Sequence, residues 1–173
     1  MTDRGVRADD EAGQYRRVLA ANRRYVESFH PSALTAAPVS GLAIIACMDA
    51  RIDVEAALGL RIGDAHIIRN AGGLATDDAI RSLIVSQERL GTDRLLVIGH
   101  TGCGLEGADE AEMRDHLAAR TGRRLEIAFG SFPDVEASVR AQVERLRAHP
   151  WVRPVPIHGL IFDVATGGLI EVD

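Results

Sequence analysis

The sequence predicts a single α/β domain built on a mostly parallel central sheet flanked by helices, with an N-terminal helical arm. Three observations carry that expectation. Short apolar runs at 42–46, 65–68 and 94–98 end abruptly in polar residues, as strands buried on both faces do. Stretches with helical signals lie after the second and third runs, and strands alternating with helices point to one α/β layer architecture. Two further apolar runs around Gly167-Gly168 close the chain as strands joined by a tight turn.

Taken in order, residues 9–28 read as an amphipathic helix with Tyr15, Val18, Leu19 and Tyr25 near one face. Pro31 and Pro38 bracket the loop that follows, so residues 1–40 form an arm and loop, and residues 41–173 form the core. The first strand is 42–46 and the second 65–68. A helix at 76–90 takes Thr76 as its N-cap and stops at Gly91. The third strand is 94–98; Pro133, at a first helical position, opens a helix running to Ala148 ahead of Pro150. The closing strands are 160–164 and 169–172.

Composition narrows the function classes. The chain has 173 residues, 46% hydrophobic and 26% charged, which suits one globular domain and excludes disorder. A net charge of −5 with scattered basic residues points away from nucleic acid and from anionic membranes. No apolar run approaches the ~20 residues needed to cross a bilayer. The stretch 1–11 is polar and mixed in charge, unlike a signal peptide. With two cysteines and no export signal, the expected compartment is the cytoplasm.

The chemistry gathers at the strand ends. Cys47 follows the first strand and His100 the third, so Cys47-Met48-Asp49-Ala50-Arg51 and His100-Thr101-Gly102-Cys103-Gly104 emerge at one edge of the sheet, where ligands bind in open α/β folds. Two thiolates and an imidazole make a zinc shell that leaves a fourth position for water. Gly102 and Gly104 would let the backbone bend round the ion. Spacing alone leaves other readings open. The cysteines could be core packing, or a Cys47–Cys103 disulfide, which a reducing compartment disfavours. A nucleophilic cysteine with His100 as its base is a third alternative.

Asp49 and Arg51 are two residues apart and can point the same way from an extended strand end, forming a bidentate ion pair. That pair is either a structural salt bridge or a base held ionised beside a metal-bound water. His30, His66, His116, His149 and His158 read as surface or structural histidines. Arg69 and Asn70 are expected to shape the loop near the site, and Gly72 and Gly73 the turn before the next helix. Trp151 reads as packing or a subunit contact.

Cys-x-Asp-x-Arg followed by Arg69-Asn70-Ala71-Gly72 and His-x-x-Cys resembles the β-class carbonic anhydrases from about residue 41 through Cys103, and 162–167 is also similar to that family. The resemblance implies zinc on Cys47, His100 and Cys103, a catalytic dyad of Asp49 and Arg51, and Asp49 as a fourth ligand in a closed state. It implies reversible hydration of CO2 to bicarbonate by a zinc-bound hydroxide. It further implies a four-stranded parallel core and a homodimer or dimer-based tetramer, with the N-terminal helix packed on the partner. Many members carry a substrate-binding Gln where Leu60 stands here. That departure, with the short chain, resembles a compact branch that includes carbonyl sulfide hydrolases. Hydrolysis of carbonyl sulfide or carbon disulfide is therefore the alternative activity, with Leu60 and Gly102 as substrate-pocket residues. A more remote alternative is a non-catalytic zinc-binding regulatory protein.

Overall fold

The computed structural model describes residues 8–30, 34–124 and 126–172. Pro31 and the polar stretch 1–7 lie outside the described residues. The chain divides into two compact units, 1–34 and 35–173. The first holds α1 (Ala8–Ser28). Tyr15, Val18, Leu19, Tyr25 and Val26 are all exposed on it, and the Tyr25 and Phe29 rings pack with centroids 5.4 Å apart.

The second unit runs β1 (Leu42–Cys47), α2 (Val54–Leu58), β2 (Ala65–Asn70), a 3-10 turn (Ala71–Gly73), α3 (Asp77–Leu90), β3 (Arg94–His100), α4 (Glu110–Thr121), α5 (Val135–Ala148), β4 (Ile157–Phe162) and β5 (Leu169–Val172). The sheet order is β2-β1-β3-β4-β5. Its first four strands are parallel, and β5 pairs antiparallel with β4. Alternation along the strands sorts the core into two layers. Ala43, Ile45, Leu95 and Val97 face α3 and α5 through Ile80, Leu83, Val139, Val143 and Leu146. Ile44, Ala46 and Ile98 face the opposite way, against Ile52, Val54, Leu105, Phe132 and Phe162. Cys47 and Cys103 belong to that second layer. The chain steps from β1 to β2 on one side and from β3 to β4 on the other. The switch point of the sheet therefore lies between the carboxyl ends of β1 and β3.

Helix ends follow side-chain chemistry. Thr76 caps α3 by accepting from Ala79 N, and Gly91 closes it in the left-handed conformation, both as expected. Two elements were not expected. α2 has five residues, too few to show a period. α4 has no fully buried residue, so it lacks the apolar stripe that announces a helix. Its signals were Asp109, whose carboxylate caps it, and Gly122 beyond its end. Several boundaries also move. Asp134 caps α5, so Pro133 precedes the cap instead of opening the helix. β4 starts at Ile157 and stops at Phe162, because Asp163 turns the chain by bonding Gly168 O and Gly167 N. β1 and β3 include Cys47 and His100 as their last residues.

Candidate metal centre

Parallel pairing brings the two motifs together. Cys47 pairs with Asn70 across β1–β2, Ala46 with Ile98 across β1–β3, and His100 with Phe162 across β3–β4. The last residues of β1 and β3 therefore sit one step out of line at the same sheet edge. From β3 the chain turns at Gly102, whose φ of +62° suits glycine and leaves open space where a Cβ would stand. That turn returns Cys103 to the cluster. Gly104, expected to share this role, has no positive φ. Cys47, His100 and Cys103 are all buried, and their ligand atoms lie within 4.8 Å of one another. Both thiols are free, so they form no disulfide.

The imidazole bears most directly on what the cluster could hold. His100 Nδ1 lies 3.1 Å from the Thr101 carbonyl. A carbonyl only accepts, so Nδ1 carries the hydrogen and Nε2 presents a lone pair. Nε2 is buried and has no hydrogen-bond partner. Buried polar atoms are otherwise satisfied, and this one stands beside two thiols. Its distance of 3.9 Å to Asp49 Oδ2 is too long for a hydrogen bond. Burial pushes the Cys103 thiol pKa up, with the neighbouring Cys47 adding to the effect. A cation among these sulfurs reverses that preference, because coordinating thiols bind deprotonated. An imidazole lone pair and two thiols in one buried cluster fit a borderline-soft divalent ion.

Asp49 and Arg51 form the bidentate pair: Arg51 Nε donates to Oδ1 at 2.9 Å and Nη2 to Oδ2 at 2.8 Å. They sit on a turn, not on an extended strand end. Arg51 N also donates to Asp49 Oδ1 at 2.9 Å, and Ile52 N to Asp49 O at 3.1 Å. These side-chain and backbone bonds from Arg51 hold the Asp49 carboxyl far below the usual carboxylate range. Arg51 Nη2 also donates to Gly102 O at 3.1 Å, tying the two motifs together. Arg69 fixes the same segment from behind, with Nε on Cys47 O at 2.9 Å and Nη2 on Asp49 O at 2.7 Å. Asn70 clasps the 3-10 turn by bonding both N and O of Leu74. The loop-shaping expected of Arg69 and Asn70 is therefore seen directly.

Leu60 is half-buried and packs against the apolar layer that contains Cys47, Cys103, Leu105, Phe132 and Phe162. That apolar wall was not read from the sequence as part of the site; the Phe162 pairing with His100 is the feature that joins it. Of the histidines, His66 is structural, bonding Ser86 Oγ at 2.7 Å and Ala36 O at 2.8 Å. Trp151 is 73% exposed, and its ring packs edge-on against His149 with centroids 5.8 Å apart. No helix among the described residues is long and apolar enough to cross a membrane.

Comparison with known proteins agrees with this geometry. Residues 42–122 match the family model described as carbonic anhydrase. The chain is 41% identical over 155 residues to beta-carbonic anhydrase 1 of Mycobacterium tuberculosis, covering 89% of this chain and 94% of the relative. It is 39% identical over 147 residues to a carbon disulfide hydrolase of Acidithiobacillus thiooxidans, covering 73% and 74%. Among solved structures, a carbonic anhydrase from Streptococcus mutans superposes with a TM-score of 0.88 at 40% identity, covering 92% of this chain and 97% of that one.

Proposed function

The chain belongs to the β-carbonic anhydrase family, and from that premise we propose that it catalyses the reversible hydration of CO2 to bicarbonate with zinc held by Cys47, His100 and Cys103. The observation that carries the reading is the unpartnered, buried Nε2 of His100 among two free thiols. Zinc, when bound, supplies Lewis acidity that makes a coordinated water a usable nucleophile toward the carbon of CO2.

The chain's own residues do the rest. Asp49 stays ionised beside Arg51 and accepts the proton that the water sheds. Arg51 keeps that carboxylate paired with itself, its Oδ2 stopping 3.9 Å from His100 Nε2, with Gly102 O as a second anchor. Loss of this pairing would free Asp49 to become a fourth ligand and close the site. Leu60, on the same apolar layer as the thiols, and Gly102 line the approach of a small, weakly polar substrate.

A second reading, hydrolysis of carbonyl sulfide or carbon disulfide by the same site, draws support from Leu60 and from the carbon disulfide hydrolase relative. Elemental analysis, stopped-flow CO2 hydration and a sulfide-release assay test both. Zinc near one per chain with CO2 turnover is the expected result. Sulfide release without CO2 hydration would favour the second reading, and zinc without any turnover would favour a regulatory protein. Absence of zinc would overturn both enzymatic readings.

The same reading makes the protein a cytoplasmic homodimer or dimer-based tetramer. Its support is the exposed apolar face of α1, which suits a partner subunit, and the free thiols, which suit a reducing compartment. Here the arm of residues 1–40 carries the partner contact and 41–173 the catalytic core. Light scattering of the purified chain checks the assembly, a monomer being the contrary result.

A further inference from the structure

Every polar group of Thr101 is engaged, and three of its bonds lead to one turn. Its N–H donates to Phe162 O at 3.0 Å. Its hydroxyl donates to Asp163 Oδ1 at 3.3 Å and accepts from Val164 N at 3.1 Å. Its carbonyl accepts from His100 Nδ1 at 3.1 Å. We propose that Thr101, anchored by Asp163, is a positioning residue that sets the tautomer and orientation of His100 and thereby the affinity of the site for its metal. The inference rests on the metal reading above and assigns a role to the turn after β4, which contributes no ligand.

The imidazole can reach the ion as a donor only if Nε2 lacks a hydrogen, so the hydrogen must be held on Nδ1. Among the described residues, the one acceptor at Nδ1 is the Thr101 carbonyl. That carbonyl belongs to a loop just past the end of the β3–β4 ladder, whose last pair is His100 with Phe162. The ladder alone does not orient it. The Thr101 side chain does, because its hydroxyl is caught between the Asp163 carboxylate and the Val164 N–H. Asp163 is itself fixed by Ala165 N at 2.9 Å and Thr166 Oγ at 2.8 Å. The carboxylate is thus oriented by its own turn. The outer partner of a metal-binding histidine commonly controls affinity in this way.

The test uses the full-length zinc-loaded chain and a chromophoric chelator. Thr101→Val, which keeps the shape and removes the hydroxyl, should lower zinc affinity about 10–100-fold. Thr101→Ser should stay near wild type, and Asp163→Ala should fall with Thr101→Val. A purely structural role would lower the melting temperature of Thr101→Val and leave its zinc affinity at the wild-type value, which would overturn the proposal. A second readout needs no variant. Nitrogen-15 NMR of the metal-free wild type should find the His100 hydrogen on Nδ1, and a hydrogen on Nε2 would equally overturn it. Failure of the wild type to bind zinc would instead defeat the metal reading, while the tautomer measurement would still judge this one.

Discussion

Gly73 offers a way to disturb the centre without touching any side chain in it. It sits at φ +65°, and a Cβ there would meet Ile98 O at 2.9 Å, Cys47 N at 3.0 Å and Ala46 C at 3.2 Å. These are backbone atoms of β1 and β3, the strands that carry Cys47 and His100. Gly91, at the end of α3, has φ +75° and nothing within 4 Å of its Cβ position. Placing an L side chain in the left-handed region costs ~1–2 kcal/mol, partly offset by a less flexible unfolded chain. Gly91→Ala carries that cost alone, so its expected loss is about 1 kcal/mol. Gly73→Ala adds overpacking of ~1–3 kcal/mol, for a total of about 2–4 kcal/mol.

Because comfortable carbon contacts lie at about 3.5–4.0 Å, the new methyl must push the Cys47 backbone away by roughly half an ångström. Zinc affinity should therefore fall about tenfold or more in Gly73→Ala and stay unchanged in Gly91→Ala. Urea unfolding at one fixed protein concentration, with chelator competition alongside, reads both quantities. Equal shifts in unfolding midpoint for the two variants, with equal zinc affinities, would refute the claim that Gly73 is where the turn presses on the ligand strands.

Other perturbations probe the chemistry more directly. Cys103→Ser should lose zinc and activity together, and full zinc retention by plasma emission analysis would remove Cys103 from the ligand set. Asp49→Ala should keep zinc and lose ~10²–10⁴ in turnover, as expected of a general base, with wild-type hydration rates as the contrary result. Arg51→Ala should be inactive yet metallated, because the freed carboxylate closes the site; wild-type turnover would show that the ion pair has no part in the reaction. Glu110 accepts from Gly130 N, Ser131 N and Arg114, and its carboxyl is held at about 2, chiefly by the Ser131 N–H. A folded pKa below the unfolded one contributes stability above the unfolded value and loses it as pH falls through the folded one. The advantage of wild type over Glu110→Gln should be largest above pH ~4.5, the ordinary glutamate range, and shrink on acidification; a pH-independent difference in urea midpoint would contradict this.

The strands were legible because β1 and β3 are buried on both faces, which writes them as short unbroken apolar runs. Caps were legible where the side chain that satisfies a helix end is local, as at Thr76 and Gly91. α4 escaped because a helix that buries no residue has no period to read. The candidate Cys-His-Cys triplet and the Asp49–Arg51 pair were visible as residue types at fixed spacings, since each motif lies within five consecutive residues. Their orientation was not: the pair was expected on an extended strand end and sits on a turn closed by Asp49 itself.

What the spacings did not reveal is what holds the motifs in place, and the reason is sequence distance. Arg51 reaches Gly102 across 51 residues, Arg69 reaches Cys47 across 22, and Thr101 reaches Asp163 across 62. Each bond depends on which strand lies beside which. Only the order β2-β1-β3-β4 puts Arg69 behind Cys47 and Asp163 behind Thr101. The switch point between β1 and β3 supplies the proposed ligands, while β2 and the turn after β4, on either side of that pair, supply the residues that fix them. A motif search over 47–51 and 100–104 thus finds the candidate donors of the centre, but its rigidity comes from residues whose partners are defined by the sheet. Substitutions at Arg69 or Asp163 should accordingly act on metal affinity through the backbone of Cys47 and the ring of His100, although neither residue is a metal donor.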